Sequence, residues 1–183
     1  MLARASVLVM ALALTVVTFF PVAASAQQTD AADITREDIN TVLANMGNSI
    51  DRQLKTVGID VGNVAVGILH RTSEHDTDGE LRGIIHAQVT EVYIMLSGSG
   101  TLLTGGEILN ATEPSAGSDL IGPTFSGGSR GGKIREISEG DIVVIPAGVL
   151  HAWTRIPDQV TYLSVRADPH DVLPAGYVNP LID

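Results

Sequence analysis

Hydrophobic positions along the chain change their rhythm twice. An unbroken apolar run opens it, from Ser6 to Phe20 (SVLVMALALTVVTFF). Further on, Ile39, Val42, Leu43, Met46, Ile50, Leu54 and Val57 recur at three- and four-residue steps, which predicts one amphipathic helix. Thr35 is its candidate N-cap, with Glu37 and Asp38 in the first turn, where the helix dipole favours negative charge. Such a helix either packs on the domain's sheet or serves as a dimer-forming arm. Beyond Val57 the runs are short, rich in Val, Ile, Leu and Thr, and broken by glycine. They predict strands at 63–71, 82–88, 91–97, 100–104, 133–137, 141–145, 149–155 and 160–166. No second helical pattern intervenes, so a parallel α/β sheet is disfavoured and an antiparallel sandwich or barrel is expected. Two stretches break the rhythm. Residues 72–81 are acidic and turn-like, and 105–132 form a glycine-rich insertion, read as a mobile loop or a lid.

The opening run has the features of an export signal. Arg4 precedes the apolar core, and Ala24-Ser25-Ala26 supplies a small-x-small cleavage pattern. A membrane anchor is the competing reading, but the run is short for a bilayer span and is followed by Pro21. The expected organisation is a signal peptide at 1–26, a polar lead-in and helix at 27–62, a barrel at 63–168 and a tail at 169–183. A periplasmic or secreted protein with no stable membrane anchor after cleavage follows from it. The whole chain carries 11 basic and 21 acidic residues. A field of that sign repels nucleic acid and anionic membranes. With no cysteine there are no disulfides, so stability rests on the core and on any metal or oligomer. The two lysines, Lys55 and Lys133, give little scope for covalent lysine chemistry.

Candidate chemistry lies in two strand segments. GDIVVIPAGVLHAWTR (140–155) turns at Pro-Ala-Gly and presents His151 just after the turn. IIHAQVTEVYIMLSG (84–98) offers His86 and Glu91. Two imidazoles and a carboxylate on neighbouring strands can make a metal site. Each histidine also has a plainer reading, as a satisfied residue of the core.

The two segments resemble the cupin family. Its second motif, Gly-x5-Pro-x-Gly-x2-His-x3-Asn, is met by Gly140, Pro146, Gly148 and His151, with Arg155 where Asn is usual. Its first motif, His-x-His-x3–4-Glu-x6-Gly, is met by His86, Glu91 and Gly98, with Ile84 at the first histidine position. Pairing His86 with Gln88 instead leaves only two residues before Glu91. The resemblance implies an all-β, double-stranded β-helix or jelly-roll barrel carrying one N-terminal helix. It implies one divalent metal ion (iron, manganese, zinc, nickel or copper) held by His86, Glu91 and His151, with Glu91 able to move from ligand to base.

Strand alternation places His151, Trp153 and Arg155 on one face, Glu91, Tyr93 and Met95 on one, and Ile84 with His86. If these faces point inward, the set is a facial triad with positions open to water, oxygen or substrate. Arg155 inside a small barrel needs an anionic partner, either a substrate carboxylate or a carboxylate of the chain. Glu91, Arg155 and Tyr93 are the candidate catalytic residues. Arg155, Trp153, Tyr93 and Gln88 are the candidate substrate contacts, although Trp153 and Tyr93 also suit aromatic core packing. The acidic group Glu74, His75, Asp76, Asp78 and Glu80 lacks a calcium-loop pattern and reads as a solvated turn. The expected function is an exported metal-dependent enzyme of oxygenase, lyase or isomerase type, acting on a small organic and plausibly anionic substrate. The alternatives are a non-catalytic small-molecule or sugar-binding module and an assembly protein. The resemblance also allows a homodimer, since pairing of barrels would cover sheet edges.

Overall fold

The computed structural model describes residues 30–74, 81–118 and 120–182. The expected signal peptide, the start of the lead-in and most of the acidic turn lie outside the described residues. The elements, in order, are α1 (Arg36–Ala44), β1 (Asp51–Gly58), β2 (Asn63–Glu74), β3 (Arg82–His86), β4 (Thr90–Thr104), β5 (Glu107–Leu109), β6 (Ser115–Ser118), β7 (Gly122–Arg130), β8 (Lys133–Ser138), β9 (Ile142–Ile145) and β10 (His151–Asp168). No helix among the described residues is long and apolar enough to cross a membrane.

All pairings between strands are antiparallel, and two long strands organise them. The first part of β4 pairs with β9 and its second part with β8. The start of β10 pairs with β3, while its later residues pair with β2. Both long strands therefore pass from one sheet to the other, and they run against each other along most of their length. One sheet is β1-β2-β10-β4-β9. The other is β8-β4-β10-β3-β7-β5, with β6 also on β7. Leu69, Tyr93, Met95, Leu102, Ile156, Val160 and Tyr162 form the main core between them. This is the all-β double-sheet barrel that the resemblance implies.

β4 can make its passage because of Gly98. Its φ is +80°, and a Cβ there would lie 1.9 Å from the Gln159 carbonyl oxygen. Before it, the odd positions Glu91, Tyr93 and Met95 are buried; after it, Gly100 and Leu102 are.

Three expectations are corrected. The helix stops at Ala44, not near Val57. Gly47 has a φ of +58°, outside the helical range, and the chain turns into β1. Val42 from the helix and Leu54 from the strand still meet in one buried cluster with Ile68, so the apolar spacing was real although the helix was too long. A capping box at Thr35 and Asp38 fixes its start, as expected from the sequence.

The second correction concerns 105–132. The segment forms β5, β6 and β7, and β7 pairs with β3 directly behind His86. Its glycines suit close packing: a Cβ at Gly127 would meet the Leu109 carbonyl oxygen at 2.5 Å.

The third concerns β10. Trp153 pairs with Leu102 and Arg155 with Thr101, so Thr154 is an extra residue. Such a bulge reverses which side chains face inward. His151 is buried before it; Thr154, Ile156, Val160, Tyr162, Ser164 and Arg166 are buried after it. Arg155 is turned outward.

The tail is stitched to the barrel. Asn179 Nδ2 donates to the Gln53 carbonyl at 2.7 Å, and Val178 bridges to Lys55. The edge of β1 is thereby covered.

Candidate metal centre

The Pro-Ala-Gly turn sets the two motifs against each other. Gly148, with φ +81°, donates its backbone N–H to the carbonyl of His86 at 2.9 Å. Ala147 N–H donates to Thr90 Oγ1 at 3.1 Å. His151 then starts β10 opposite Ile84.

The structure brings together His86, Glu91 and His151, all at most 3% exposed. Nε2 of His86 lies 3.2 Å from Glu91 Oε2, and Nε2 of His151 lies 3.4 Å from the same oxygen. One donor atom from each residue falls within 4.8 Å of the others.

The outer nitrogens reveal what the inner ones offer. His151 Nδ1 faces the Val149 carbonyl at 3.1 Å, which can only accept, so Nδ1 carries the proton. Thr124 donates its hydroxyl to the Gly122 carbonyl at 3.1 Å, which leaves it to accept from His86 Nδ1 at 2.8 Å. In the neutral imidazoles both Nε2 atoms therefore present lone pairs to a carboxylate oxygen. His151 Nε2 has no hydrogen-bond partner, and a buried polar atom so placed is costly. A cation at the centre removes that cost. Metal–nitrogen and metal–oxygen bonds of about 2.0–2.2 Å put neighbouring ligand atoms roughly 2.9–3.5 Å apart at ordinary angles, and the two histidine–glutamate distances lie in that range. The donor set fits a first-row divalent ion.

Glu91 is held from behind. Its Oε1 accepts from Ser164 Oγ at 2.7 Å and from Arg166 Nε at 3.3 Å, while Tyr93 donates to Oε2 at 3.1 Å. Arg166, fully buried, also donates to Gln53 Oε1 at 2.6 Å and pairs with Asp51 at 2.5 Å. Burial pushes the Glu91 carboxyl up, but the His151 and His86 imidazoles packed against it and the Arg166 guanidinium outweigh that, so it stays ionised well below its ordinary value. Burial and the adjacent Glu91 charge raise the Tyr93 phenol well above its usual range, which keeps it a proton donor.

A cavity of about 280 Å³ opens beside the cluster. Tyr93, His151 and Trp153 line it, as does Ile84. Trp153 donates Nε1–H to the Tyr162 hydroxyl at 3.2 Å, and the Tyr93 ring packs against Tyr162 at 4.5 Å with a tilt of 45°, so both aromatics serve core and cavity together. Gln88 sits half-buried in the turn between β3 and β4 and does not line the cavity. Arg155 is exposed in a separate cleft with Glu136 and Pro157. The bulge at Thr154 is the reason.

Sequence reasoning missed Arg166, Ser164, Thr124, Arg71 and Arg82. Arg71 and Arg82 both line the cavity. Arg166 was open to detection, since Tyr162, Ser164 and Arg166 alternate in phase along one predicted strand. A broader concavity along α1, from Arg36 to Asn45, contains no residue of the cluster.

No family model and no curated protein matches the chain. Among solved structures it is similar to a Bacillus halodurans protein, 16% identical over 84% of this chain and 92% of that one, at a TM-score of 0.47. It is also similar to the DMSP lyase DddQ from Ruegeria pomeroyi, 17% identical over 70% of this chain and 50% of that one, at 0.40. A cupin protein from Bacteroides fragilis matches at 16% identity over 69% and 86% of the two chains, at 0.37. The chain's own strand topology defines its class, an all-β double-stranded β-helix barrel, and His86, Glu91 and His151 form a group that could hold a metal ion.

Proposed function

We propose that this is an exported enzyme that holds one divalent metal ion at His86, Glu91 and His151 and acts on a small organic substrate in the adjoining cavity. The observation that carries the reading is the convergence of two Nε2 lone pairs on one buried carboxylate oxygen. A bound ion would supply Lewis acidity to a substrate oxygen or a lowered pKa to bound water. Thr124 and the Val149 carbonyl fix the tautomers that aim both Nε2 atoms inward. Ser164 and Arg166 fix the carboxylate. Tyr93, protonated and facing the cavity, is the proton donor of this reading, and Glu91 is its base. Oxygenase, lyase and isomerase reactions all suit such a set.

The test is metal content. Mature protein purified without chelators is expected to carry close to one divalent ion per chain, and His86→Ala and His151→Ala to lose it. Wild type that is metal-free and cannot be reloaded refutes the reading. That result would favour a non-catalytic binding module, which Ile84 also favours by putting a methyl-rich side chain opposite His151.

Two further proposals concern setting. Export predicts a mature N-terminus at Gln27, which terminal sequencing of the secreted protein checks; an intact Met1 there refutes it. A homodimer is supported by Ile142 and Val144, 64% and 61% exposed on β9. Sedimentation as a monomer refutes it.

A further inference from the structure

β2 carries a glycine where its backbone does not call for one. Gly67 lies in the middle of this 12-residue strand, and its φ is outside the left-handed region. A glycine inside a strand weakens it and marks a place where another group comes close. Gly67 alternates in phase with Ala65 and Leu69, both buried, so a side chain there would enter the barrel. Its Cβ would lie 2.8 Å from Arg166 Nη1, 3.2 Å from Arg166 Cζ and 3.2 Å from Asp51 Oδ1.

The register explains the approach. Gly67 pairs with Gln53 of β1 on one side and with Ser164 of β10 on the other. Arg166 stands on β10, in register with Glu91 of β4, whereas Asp51 and Gln53 stand on β1. The guanidinium therefore has to cross β2, and neighbouring strands lie about 4.8 Å apart. It ends with no solvent exposure, 2.5 Å from Asp51 and 2.6 Å from Gln53, while Nε stays 3.3 Å from Glu91 Oε1. The atoms that a methyl group at Gly67 would meet are the ones that make this crossing. A free guanidinium would swing aside, but this one is held by three residues. Its contact with Glu91 is the longest of the three and yields first.

We infer that Gly67 is a positioning residue of the metal centre: its missing side chain is the passage through which Arg166 reaches from Glu91 to Asp51 and so fixes the carboxylate that holds the ion. This rests on the reading of the site given above. With the passage closed, Glu91 Oε1 keeps Ser164 alone, and the carboxylate is free to turn away from the two Nε2 atoms. Groups that orient a ligand from behind are worth about 10–100-fold in metal affinity.

Gly67→Ala tests the inference, alone and combined with Arg166→Met, in the whole mature protein. Methionine ends one atom short of Cζ, so it leaves the new methyl group nothing to displace. Zinc affinity is measured by competition with a chromophoric chelator. It is expected to fall at least about tenfold in Gly67→Ala, and to differ less than about threefold between Arg166→Met and the double variant. Urea unfolding of the chelator-stripped proteins gives a second readout. Gly67→Ala is expected to raise the unfolding constant at least about tenfold in wild type, by overpacking. In Arg166→Met it is expected to lower that constant about two- to fivefold, because alanine there only stiffens the unfolded chain. A merely structural glycine would shift stability and leave zinc affinity alone. Wild type that takes up no zinc sinks the metal reading, and the unfolding cycle then decides by itself whether Gly67 makes room for Arg166. Zinc affinity unchanged in Gly67→Ala overturns the inference even if Arg166→Met fails to fold, and so does an equal effect of the alanine in both backgrounds.

Discussion

Replacing Arg166 by Met should show how far the site depends on charge buried behind it. The guanidinium has no solvent exposure and contacts Asp51, Glu91 and Gln53. Methionine fills similar space without charge. Glu91 Oε1 would keep only Ser164, and Asp51, whose Oδ1 already has no hydrogen-bond partner, would lose its cation. Removing one partner of a buried pair costs about 3–5 kcal/mol, because the remaining charge is stranded. For a domain of this size 1 kcal/mol moves Tm by about 2–4 °C, so Arg166→Met should melt roughly 6–20 °C lower. Adding Asp51→Asn removes one stranded charge, and the double variant should recover at least about 1 kcal/mol relative to Arg166→Met alone. Urea unfolding of the four proteins, chelator-stripped, measures this cycle. A cost below about 1 kcal/mol for Arg166→Met, or a strictly additive cycle, would refute the idea that this arginine balances the site.

Three more outcomes follow from single contacts. Thr124→Val removes the acceptor for His86 Nδ1 and should weaken metal binding about 10–100-fold with little change in Tm; unchanged affinity in a metal titration contradicts the tautomer assignment. Gly98→Ala combines a φ of +80° with a 1.9 Å approach to the Gln159 carbonyl and should cost more than about 2 kcal/mol by urea unfolding; a smaller loss means that the β4–β10 crossing is looser than described. Burial raises the phenols of Tyr93 and Tyr162, so the folded chain keeps protons that the unfolded chain loses above about pH 10. Stability should therefore fall as pH rises beyond that value, with their phenolate absorbance appearing only as the fold opens; smooth ionisation of both in the folded protein would contradict their burial.

The barrel and the three cluster residues were legible because they depend on local signals: short β-rich runs, glycine punctuation and two spaced motifs. What was not legible depends on partners distant in sequence. The helix overran because Leu54 and Val57 kept helical spacing, although Gly47-Asn48-Ser49 carried a break. The glycines of 105–132 suggest a mobile loop by composition, yet they serve close packing of β5 and β7, and β7 supplies Thr124 to His86. Strict alternation points Arg155 inward, and one extra residue at Thr154 reverses it. Arg71 and Arg82 belong to no motif, and only the approach of β2 and β3 from opposite sheets gives them a shared cavity.

The central claim is that one metal ion is bound by His86, Glu91 and His151. X-ray absorption at the edge of the metal in reloaded protein tests it most directly. The account predicts a first shell with imidazole scattering from two histidines, and oxygen or nitrogen ligands at about 2.0–2.2 Å. It also predicts that His86→Ala and His151→Ala each lower the imidazole contribution or abolish binding. A shell without imidazole, or one identical in the double histidine variant, would contradict it.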